Sequence, residues 1–126
     1  MTICVMIVDD SEADRFILAT ILNKTDLNVE YVEASNGQEA LSYLLESKAP
    51  PDVIFLDLNM PIMNGFEFLE EVTTNHRIDS KVVVISSSYR EDDIKRSTGF
   101  SIVKDYIAKP IDVHLIKDTV HTLGAA

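Results

Sequence analysis

Short apolar segments alternate with longer amphipathic segments along the whole chain. Five of the apolar segments are rich in β-branched residues and predict strands, at residues 3–8, 29–33, 53–56, 82–85 and 105–108. Three of the five are almost continuously apolar, which is typical of parallel strands that are covered on both faces. The pattern therefore predicts a buried parallel sheet with helices between its strands.

The amphipathic segments place apolar residues three and four positions apart, the spacing of one helical face. For four helices the predicted buried faces are Ala13, Phe16, Ile17, Thr20 and Ile21; Ala40, Leu41, Leu44 and Leu45; Phe66, Leu69 and Val72; and Val113, Ile116, Val120 and Leu123. The remaining helix, at about residues 90–98, offers little beyond Ile94 to bury. We therefore expect that helix to be weakly packed.

Short polar residues followed three positions later by an acid mark the starts of four helices. The pairs are Ser11 with Asp14, Asn36 with Glu39, Asn64 with Glu67, and Ser88 with Glu91. Gly124 lies where a cap at the end of the last helix is expected. The elements together predict an α/β fold in one domain, residues 1–126, with five strands and five helices.

The composition adds an acidic surface to this picture. The formal net charge is −10 at pH 7, and such a surface repels nucleic acid and anionic lipid. We therefore expect no direct binding to nucleic acid. The apolar runs are too short for a bilayer span, and the first has no basic flank for a signal peptide. These features predict a cytoplasmic protein without membrane insertion.

The single cysteine, Cys4, lies inside the first apolar segment. It has no partner within the chain for a disulfide, which suits a reducing compartment. Its apolar surroundings predict a small buried hydrophobic residue, not a nucleophile.

Polar residues follow directly after four of the predicted strands: Asp9 and Asp10, Asp57, Ser86, and Lys109. Taken singly, each has an ordinary explanation as a cap, a turn residue or a surface charge. In an open parallel sheet, however, the carboxyl ends of the strands form one edge, and ligands bind there. We therefore expect these side chains to lie together.

Carboxylates that converge at one edge repel each other and favour a bound hard cation. Mg²⁺ fits, since it binds one or two carboxylates and accepts phosphate oxygen as a further ligand. A carboxylate can also attack phosphorus, while the Lys109 ammonium and the Ser86 hydroxyl stabilise phosphoryl oxygens. The pattern predicts a phosphoryl-transfer site but leaves the identity of the nucleophile open.

Three segments resemble the signatures of response-regulator receiver domains of two-component signalling. They are VIFLDLNMPIMNG at residues 53–65, IVDDS at 7–11 and YIAKP at 106–110. The likeness covers essentially the whole chain, with the segments in the family's order and spacing. It implies a flavodoxin-like, doubly wound sheet with strand order 2-1-3-4-5. It also implies a signalling switch, not a metabolic enzyme, and no output domain is visible beside the receiver.

The resemblance assigns a role to each residue that matches a family motif. Asp57 is expected to accept the phosphoryl group. Mg²⁺ is expected to bind Asp9, Asp10, Asp57 and the backbone carbonyl of Asn59. Lys109 is expected to contact the phosphoryl group, with a cis bond to the proline that follows it.

The family also implies two switch residues. Ser86 is expected to be the hydroxyl that moves toward the phosphoryl group, although most relatives carry threonine there. We choose Ser86 over the adjacent Ser87 and Ser88 because it directly follows the apolar strand. Tyr106 is expected to be the aromatic residue that changes rotamer, with simple ring packing as the alternative.

The resemblance further implies the partners. The phosphoryl donor is expected to be a sensor histidine kinase or a histidine phosphotransfer protein. The phosphorylated form is expected to present a changed surface, including the fourth helix, to a protein target that the sequence does not identify. Some members of the family dimerise on phosphorylation and others do not, so a phosphorylation-dependent dimer stays open.

Two other functions fit parts of the sequence. Phosphatases of the haloacid-dehalogenase type also use an aspartate nucleophile after a strand, but they need a second aspartate where this chain has Asn59. A flavodoxin-like binding module for nucleotide or flavin is disfavoured. The chain has neither G-x-G-x-x-G nor a P-loop, and only 4 glycines.

Overall fold

A computed structural model describes residues 2–76 and 78–124 and contains five strands and five helices. In chain order they are β1 Ile3–Val8, α1 Glu12–Lys24, β2 Val29–Ala34, α2 Gly37–Glu46, β3 Val53–Leu56, α3 Gly65–Glu70, β4 Lys81–Ser86, α4 Glu91–Thr98, β5 Val103–Ala108 and α5 Val113–Gly124. A π-helical turn, Glu71–Asn75, extends α3. All strand pairs are parallel, in the order β2-β1-β3-β4-β5. The predicted doubly wound fold is therefore confirmed.

The central strands are apolar at every position because both faces of the sheet are covered. In β3, Val53 and Phe55 pack with α1 and α5, whereas Ile54 and Leu56 pack with α2 and α3. All four side chains are buried. Since a strand points successive side chains to opposite faces, β3 contributes equally to the two hydrophobic cores.

The predicted strands are confirmed, with small differences at their ends. β1 and β3 have the predicted limits, whereas β4 is one residue longer at each end and β5 begins two residues earlier. Ser86 is thus the last residue of β4 and not the first residue after it. The ends differ because backbone pairing continues past the last apolar residue.

Three of the four predicted helix starts are confirmed. The side chains of Ser11, Asn36 and Asn64 cap α1, α2 and α3, and Asn64 forms a full capping box with Glu67. The fourth was wrong, because α4 begins after Arg90 and Ser88 lies two residues before that cap.

The predicted buried face of α1 was partly wrong. Phe16 and Ile17 are 71% and 43% exposed, and the buried side chains are Leu18, Ala19, Ile21 and Leu22. The sequence of α1 holds two overlapping apolar stripes, and only one of them can face the sheet. Exposed Phe16 and Ile17 instead line an open groove between α1 and α5.

The weak packing expected for α4 is confirmed, since its one buried residue is Ser97. Ile94 is only partly buried. The guanidinium of Arg96 lies over the ring of Phe66, 4.1 Å from its centroid, and links α4 to α3. Polar and cation–π contacts therefore hold this helix more than an apolar face does.

Two smaller predictions were wrong. Cys4 is exposed, because α2 ends at Glu46 and leaves an open groove beside the start of β1. The limited burial of its thiol and the negative charges of Asp52 and Glu30 raise the pKa of Cys4, which disfavours the reactive thiolate. Gly124 is the last residue of α5 and not a cap beyond it. A Cβ atom there would lie 2.7 Å from the side chain of Ile3, so the glycine allows close packing.

Among the helices of residues 2–76 and 78–124, none combines the length and the apolar character that crossing a bilayer requires.

We predict that Gly65→Ala destabilises the fold. A Cβ atom at Gly65 would lie 2.5 Å from the carbonyl oxygen of Asp57 and 2.8 Å from Cα of Leu58. The start of α3 would then move away from the end of β3, at an expected loss of about 1–3 kcal/mol in the free energy of unfolding. Urea unfolding monitored by circular dichroism measures this loss.

Gly99→Ala provides the control, because its nearest neighbour would lie 3.2 Å away and its φ of −68° is ordinary for any residue. Equal losses in the two variants would show that the close approach at Gly65 is not the cause.

Candidate functional site

The register of the sheet places Asp9 and Asp57 side by side. Val8 pairs with Leu56 in the last rung between β1 and β3, and the Asp57 N–H donates to the Val8 carbonyl at 2.9 Å. The next residue of each strand is the aspartate. The two carboxylates therefore leave the sheet at the same level, on the edge where open α/β sheets bind ligands.

Asp10 completes a cluster of three carboxylates. Asp9, Asp10 and Asp57 each offer an oxygen, and these oxygens all lie within 4.8 Å of one another. Asp9 and Asp57 are buried, whereas Asp10 is exposed. Three oxygen ligands with one open side fit a hard divalent cation that keeps water or phosphate ligands.

Lys109 reaches this cluster from the end of β5. Its backbone N–H donates to the Ser86 carbonyl at 2.8 Å, and the peptide bond between Lys109 and Pro110 is cis, as predicted. Its ammonium nitrogen lies 3.0 Å from Oδ2 of Asp9 and 3.8 Å from Oδ2 of Asp57. One cation therefore contacts both buried carboxylates.

The environment shifts the pKa values of two of these groups. Burial and the Asp9 charge raise the pKa of Asp57 from 3.8 to about 6, although Lys109 and the backbone N–H groups of Leu58 and Asn59 lower it. Burial lowers the pKa of Lys109, but hydrogen bonds to Asp14 and Asp9 outweigh it and raise the pKa to about 12. The lysine is therefore charged at neutral pH. Ionisation of Asp57 in the metal-free protein costs more free energy than ionisation of an ordinary aspartate.

The two predicted switch residues meet at Ser88. The Ser86 hydroxyl accepts a hydrogen bond from the Ser88 N–H at 3.1 Å, and the Tyr106 hydroxyl donates to the Ser88 carbonyl at 2.9 Å. Ser86 is fully buried and Tyr106 is half-buried. A change at Ser86 therefore reaches Tyr106 through the backbone of a single residue, Ser88, in the loop between β4 and α4.

Further contacts hold this loop. The Ser88 hydroxyl donates to Asp93 at 2.7 Å and accepts from the Arg90 N–H at 3.2 Å. The exposed Tyr89 donates through its hydroxyl to the carbonyl oxygen of Lys109 at 2.7 Å. The loop is thus tied to α4 on one side and to the lysine segment on the other.

The structure adds Asp14, which the sequence analysis used only as a capping signal. Its N–H donates to the Ser11 hydroxyl as predicted, at 3.2 Å, but its carboxylate accepts from the Lys109 ammonium at 2.7 Å. A sequence signal did exist. Asp14 lies in the first turn of the helix that follows β1, and that turn is at the carboxyl edge of the sheet.

A family model of the response regulator receiver domain matches residues 5–121 of this chain. The chain therefore belongs to the response regulator receiver family, and it is a receiver of two-component signalling.

Curated relatives agree with this family. Sporulation initiation phosphotransferase F of Bacillus subtilis is 32% identical over 117 residues, which cover 92% of this chain and 89% of that protein. A protein-glutamate methylesterase/protein-glutamine glutaminase of Anaeromyxobacter dehalogenans is 37% identical over 109 residues, 86% of this chain. The chain spans only 30% of that relative's length.

Solved structures agree as well. The phosphorylated cyanobacterial phytochrome response regulator RcpA superposes with a TM-score of 0.87 at 29% identity, over 98% of this chain and 94% of that chain. The Mn²⁺-bound form of response regulator Rcp1 superposes with a TM-score of 0.84 at 25% identity, over 98% and 96% of the two chains. The carboxylate cluster and this metal-bound relative together indicate a divalent metal site.

We predict that Asp57→Asn stabilises the metal-free protein at neutral pH. The folded state holds the Asp57 proton more tightly than the unfolded chain does, so the native protein loses stability as the pH rises from about 4 to about 6. Removing the charge recovers on the order of 2 kcal/mol at pH 7 and little near pH 4. Urea unfolding in EDTA across this pH range measures the effect.

Asp26→Asn is the matched control, because Asp26 is an exposed loop residue. If both variants had the same stability as the parent protein at pH 7, the burial cost assigned to Asp57 would be wrong.

Proposed function

We propose that this protein is a phosphorylation switch that accepts a phosphoryl group on Asp57 in the presence of Mg²⁺. The observation that carries the proposal is the meeting of three carboxylates and one ammonium at the carboxyl edge of the sheet. Asp9 is also buried and contacts Lys109, so the choice of Asp57 as the acceptor is supported by its place directly after the central strand β3. Its position also matches the acceptor in the family motif.

We propose Mg²⁺ as the physiological cation, held by Asp9, Asp10, Asp57 and the backbone carbonyl of Asn59. The cluster consists of hard oxygen ligands with one side open, which suits an ion that retains waters and accepts phosphate oxygen. When bound, the ion supplies positive charge that offsets the carboxylates and the phosphoryl oxygens. Asn59 lies two residues after Asp57 and is exposed, and this position supports its backbone carbonyl as a ligand of the cation.

The chemistry follows from the groups at the site. An Asp57 carboxylate oxygen attacks the phosphorus of a phosphohistidine, so that an O–P bond forms while the N–P bond breaks. The leaving imidazole nitrogen keeps the electron pair and takes a proton. Lys109 donates to the transferred phosphoryl oxygens, and its raised pKa keeps it charged for this purpose.

We propose that Ser86 and Tyr106 transmit the phosphorylation to the surface around α4. Ser86 lies at the end of β4, and its hydroxyl is engaged with the Ser88 N–H. Moving that hydroxyl toward a phosphoryl oxygen frees the Ser88 N–H and loosens the backbone of Ser88, whose carbonyl accepts from Tyr106. The weak packing of α4 supports a two-state element at this place.

We propose the following biological setting. The chain acts as a single receiver domain over residues 1–126, in the cytoplasm, with a histidine kinase or a histidine phosphotransfer protein as its donor. Relatives named as a phosphotransferase and as histidine kinases support this kind of partner. The phosphorylated form contacts a target protein through the α4 surface. A phosphorylation-dependent dimer is the alternative use of this surface.

Incubation with acetyl phosphate and Mg²⁺ is expected to add the mass of one phosphoryl group to the intact protein. Asp57→Asn and EDTA are each expected to abolish the gain, because one removes the nucleophile and the other removes the cation. Intact-mass spectrometry provides the measurement, and Asp26→Asn provides the variant that keeps the gain. A gain that persists in Asp57→Asn would falsify Asp57 as the acceptor.

Lys109→Ala is expected to separate phosphorylation from switching. The variant still takes up a phosphoryl group, but without the ammonium the phosphoryl charge no longer reorganises the lysine segment and the Ser88 loop. In the parent protein, beryllofluoride with Mg²⁺ is expected to change hydrogen exchange in α4 by about tenfold or more, and in the variant by much less. The same exchange response in both proteins would exclude this coupling role.

A further inference from the structure

Asp14, and not Asp57, is the closest partner of the Lys109 ammonium. The nitrogen lies 2.7 Å from Oδ2 of Asp14, 3.0 Å from Oδ2 of Asp9 and 3.8 Å from Oδ2 of Asp57. Only the first two distances are hydrogen bonds. The lysine is therefore held toward α1. Its nitrogen lies about 1.1 Å further from Oδ2 of Asp57 than from Oδ2 of Asp14.

This ion pair is shielded enough for its geometry to matter. The Lys109 side chain is 16% exposed and the Asp14 side chain 28% exposed. Asp14 extends from the first turn of α1, where its backbone is held by the Ser11 cap. A charged pair on a capped helix turn at the rim of a buried site is worth more than a freely moving surface pair.

The charges around the site explain what this pair does. The carboxylates of Asp9, Asp14 and Asp57 lie 2.7 to 3.8 Å from the Lys109 ammonium, and Asp10 adds a further negative charge to the cluster. The ammonium is hydrogen-bonded to Asp9 but not to Asp57. An ammonium seated on Asp57 as well would repel a divalent cation more strongly and occupy a second oxygen that should bind it. Asp14 offers the ammonium a charged acceptor that is not part of the cluster of Asp9, Asp10 and Asp57.

We propose that Asp14 is a positioning residue that draws Lys109 away from Asp57 and so keeps the carboxylate cluster open for the divalent cation. The inference rests on the proposed function, since it concerns cation binding at the Asp57 site. It assigns to Asp14 no contact with the cation or the phosphoryl group. Asp14 acts only through the position and the charge of Lys109.

The test measures cation affinity directly. Mn²⁺ is titrated into the full chain, free Mn²⁺ is followed by electron paramagnetic resonance, and Mg²⁺ is then added as competitor. Asp14→Asn keeps the size and an acceptor oxygen but removes the charge. Its dissociation constants for Mn²⁺ and Mg²⁺ are expected to rise about three- to tenfold, because Lys109, which already contacts Asp9, then shifts toward Asp57.

A second measurement separates positioning from chemistry. The rate of phosphorylation by acetyl phosphate is recorded against Mg²⁺ concentration. In Asp14→Asn the Mg²⁺ concentration for half-maximal rate is expected to rise by the same factor as the dissociation constant. The rate at saturating Mg²⁺ is expected to stay within about twofold, since the cation then displaces the lysine.

Two variants serve as controls. Glu12→Gln removes one acidic charge from the same turn of α1, at an exposed position, and is expected to bind Mn²⁺ like the parent protein. Asp14→Glu retains the charge on a longer side chain and is expected to restore the affinity to within about twofold. Circular dichroism of each variant checks that the fold is intact.

The outcomes separate this inference from the proposed function. If Asp14→Asn binds Mn²⁺ and Mg²⁺ like Glu12→Gln while the parent protein binds both and is phosphorylated, the positioning role is wrong and the proposed function stands. A loss shared equally by Asp14→Asn and Glu12→Gln also overturns it, because net charge alone would then be the cause. A parent protein whose Mn²⁺ affinity is unchanged by Asp57→Asn overturns the proposed function together with this inference.

Discussion

The structure depends on how it accommodates two like charges that are buried side by side. Asp9 and Asp57 leave β1 and β3 at the same level, and burial of Asp57, together with repulsion by Asp9, raises the pKa of Asp57 to about 6. Lys109 offsets part of this repulsion, but a single ammonium cannot balance the acidic groups around it. A bound divalent cation is the physical complement of such a site, because each added positive charge relieves a cost already present in the fold.

The rest of the molecule supplies the rigidity that this arrangement requires. The central strands are buried on both faces, so backbone pairing sets the positions of Asp9 and Asp57. Lys109 follows the edge strand β5, and its N–H is held by the Ser86 carbonyl of β4. Gly65 allows the start of α3 to approach the backbone just after β3 closely. A stable sheet therefore presents an electrostatically strained edge, and strain of this kind at functional sites is tolerated because the surrounding packing holds it.

Stability is distributed unevenly around the site. The buried cores include side chains of α1, α2, α3 and α5, whereas α4 buries only Ser97 and is tied down by hydrogen bonds of the Ser88 loop and by the stacking of Arg96 on Phe66. Such contacts can be exchanged at a smaller free-energy cost than a packed apolar face. The element next to the switch residues is therefore the one most easily rearranged.

The sequence by itself determined the architecture and most of the predicted site. Continuous apolar strands, amphipathic spacing and the caps at Ser11, Asn36 and Asn64 are local patterns. They predict the secondary structure because each reflects the environment of its own segment. The rule that parallel strands end at one edge is then enough to predict that Asp9, Asp10, Asp57 and Lys109 lie together.

Tertiary structure alone decided the features that depend on competition between segments. It selected one of two apolar stripes on α1, left Cys4 exposed where α2 ends, and paired Asp14 with Lys109 across 95 positions of the chain. In each case the residue's own neighbours in sequence permit two environments. The choice between them depends on which distant segment packs against the residue in the folded chain, and the local sequence pattern does not specify that segment.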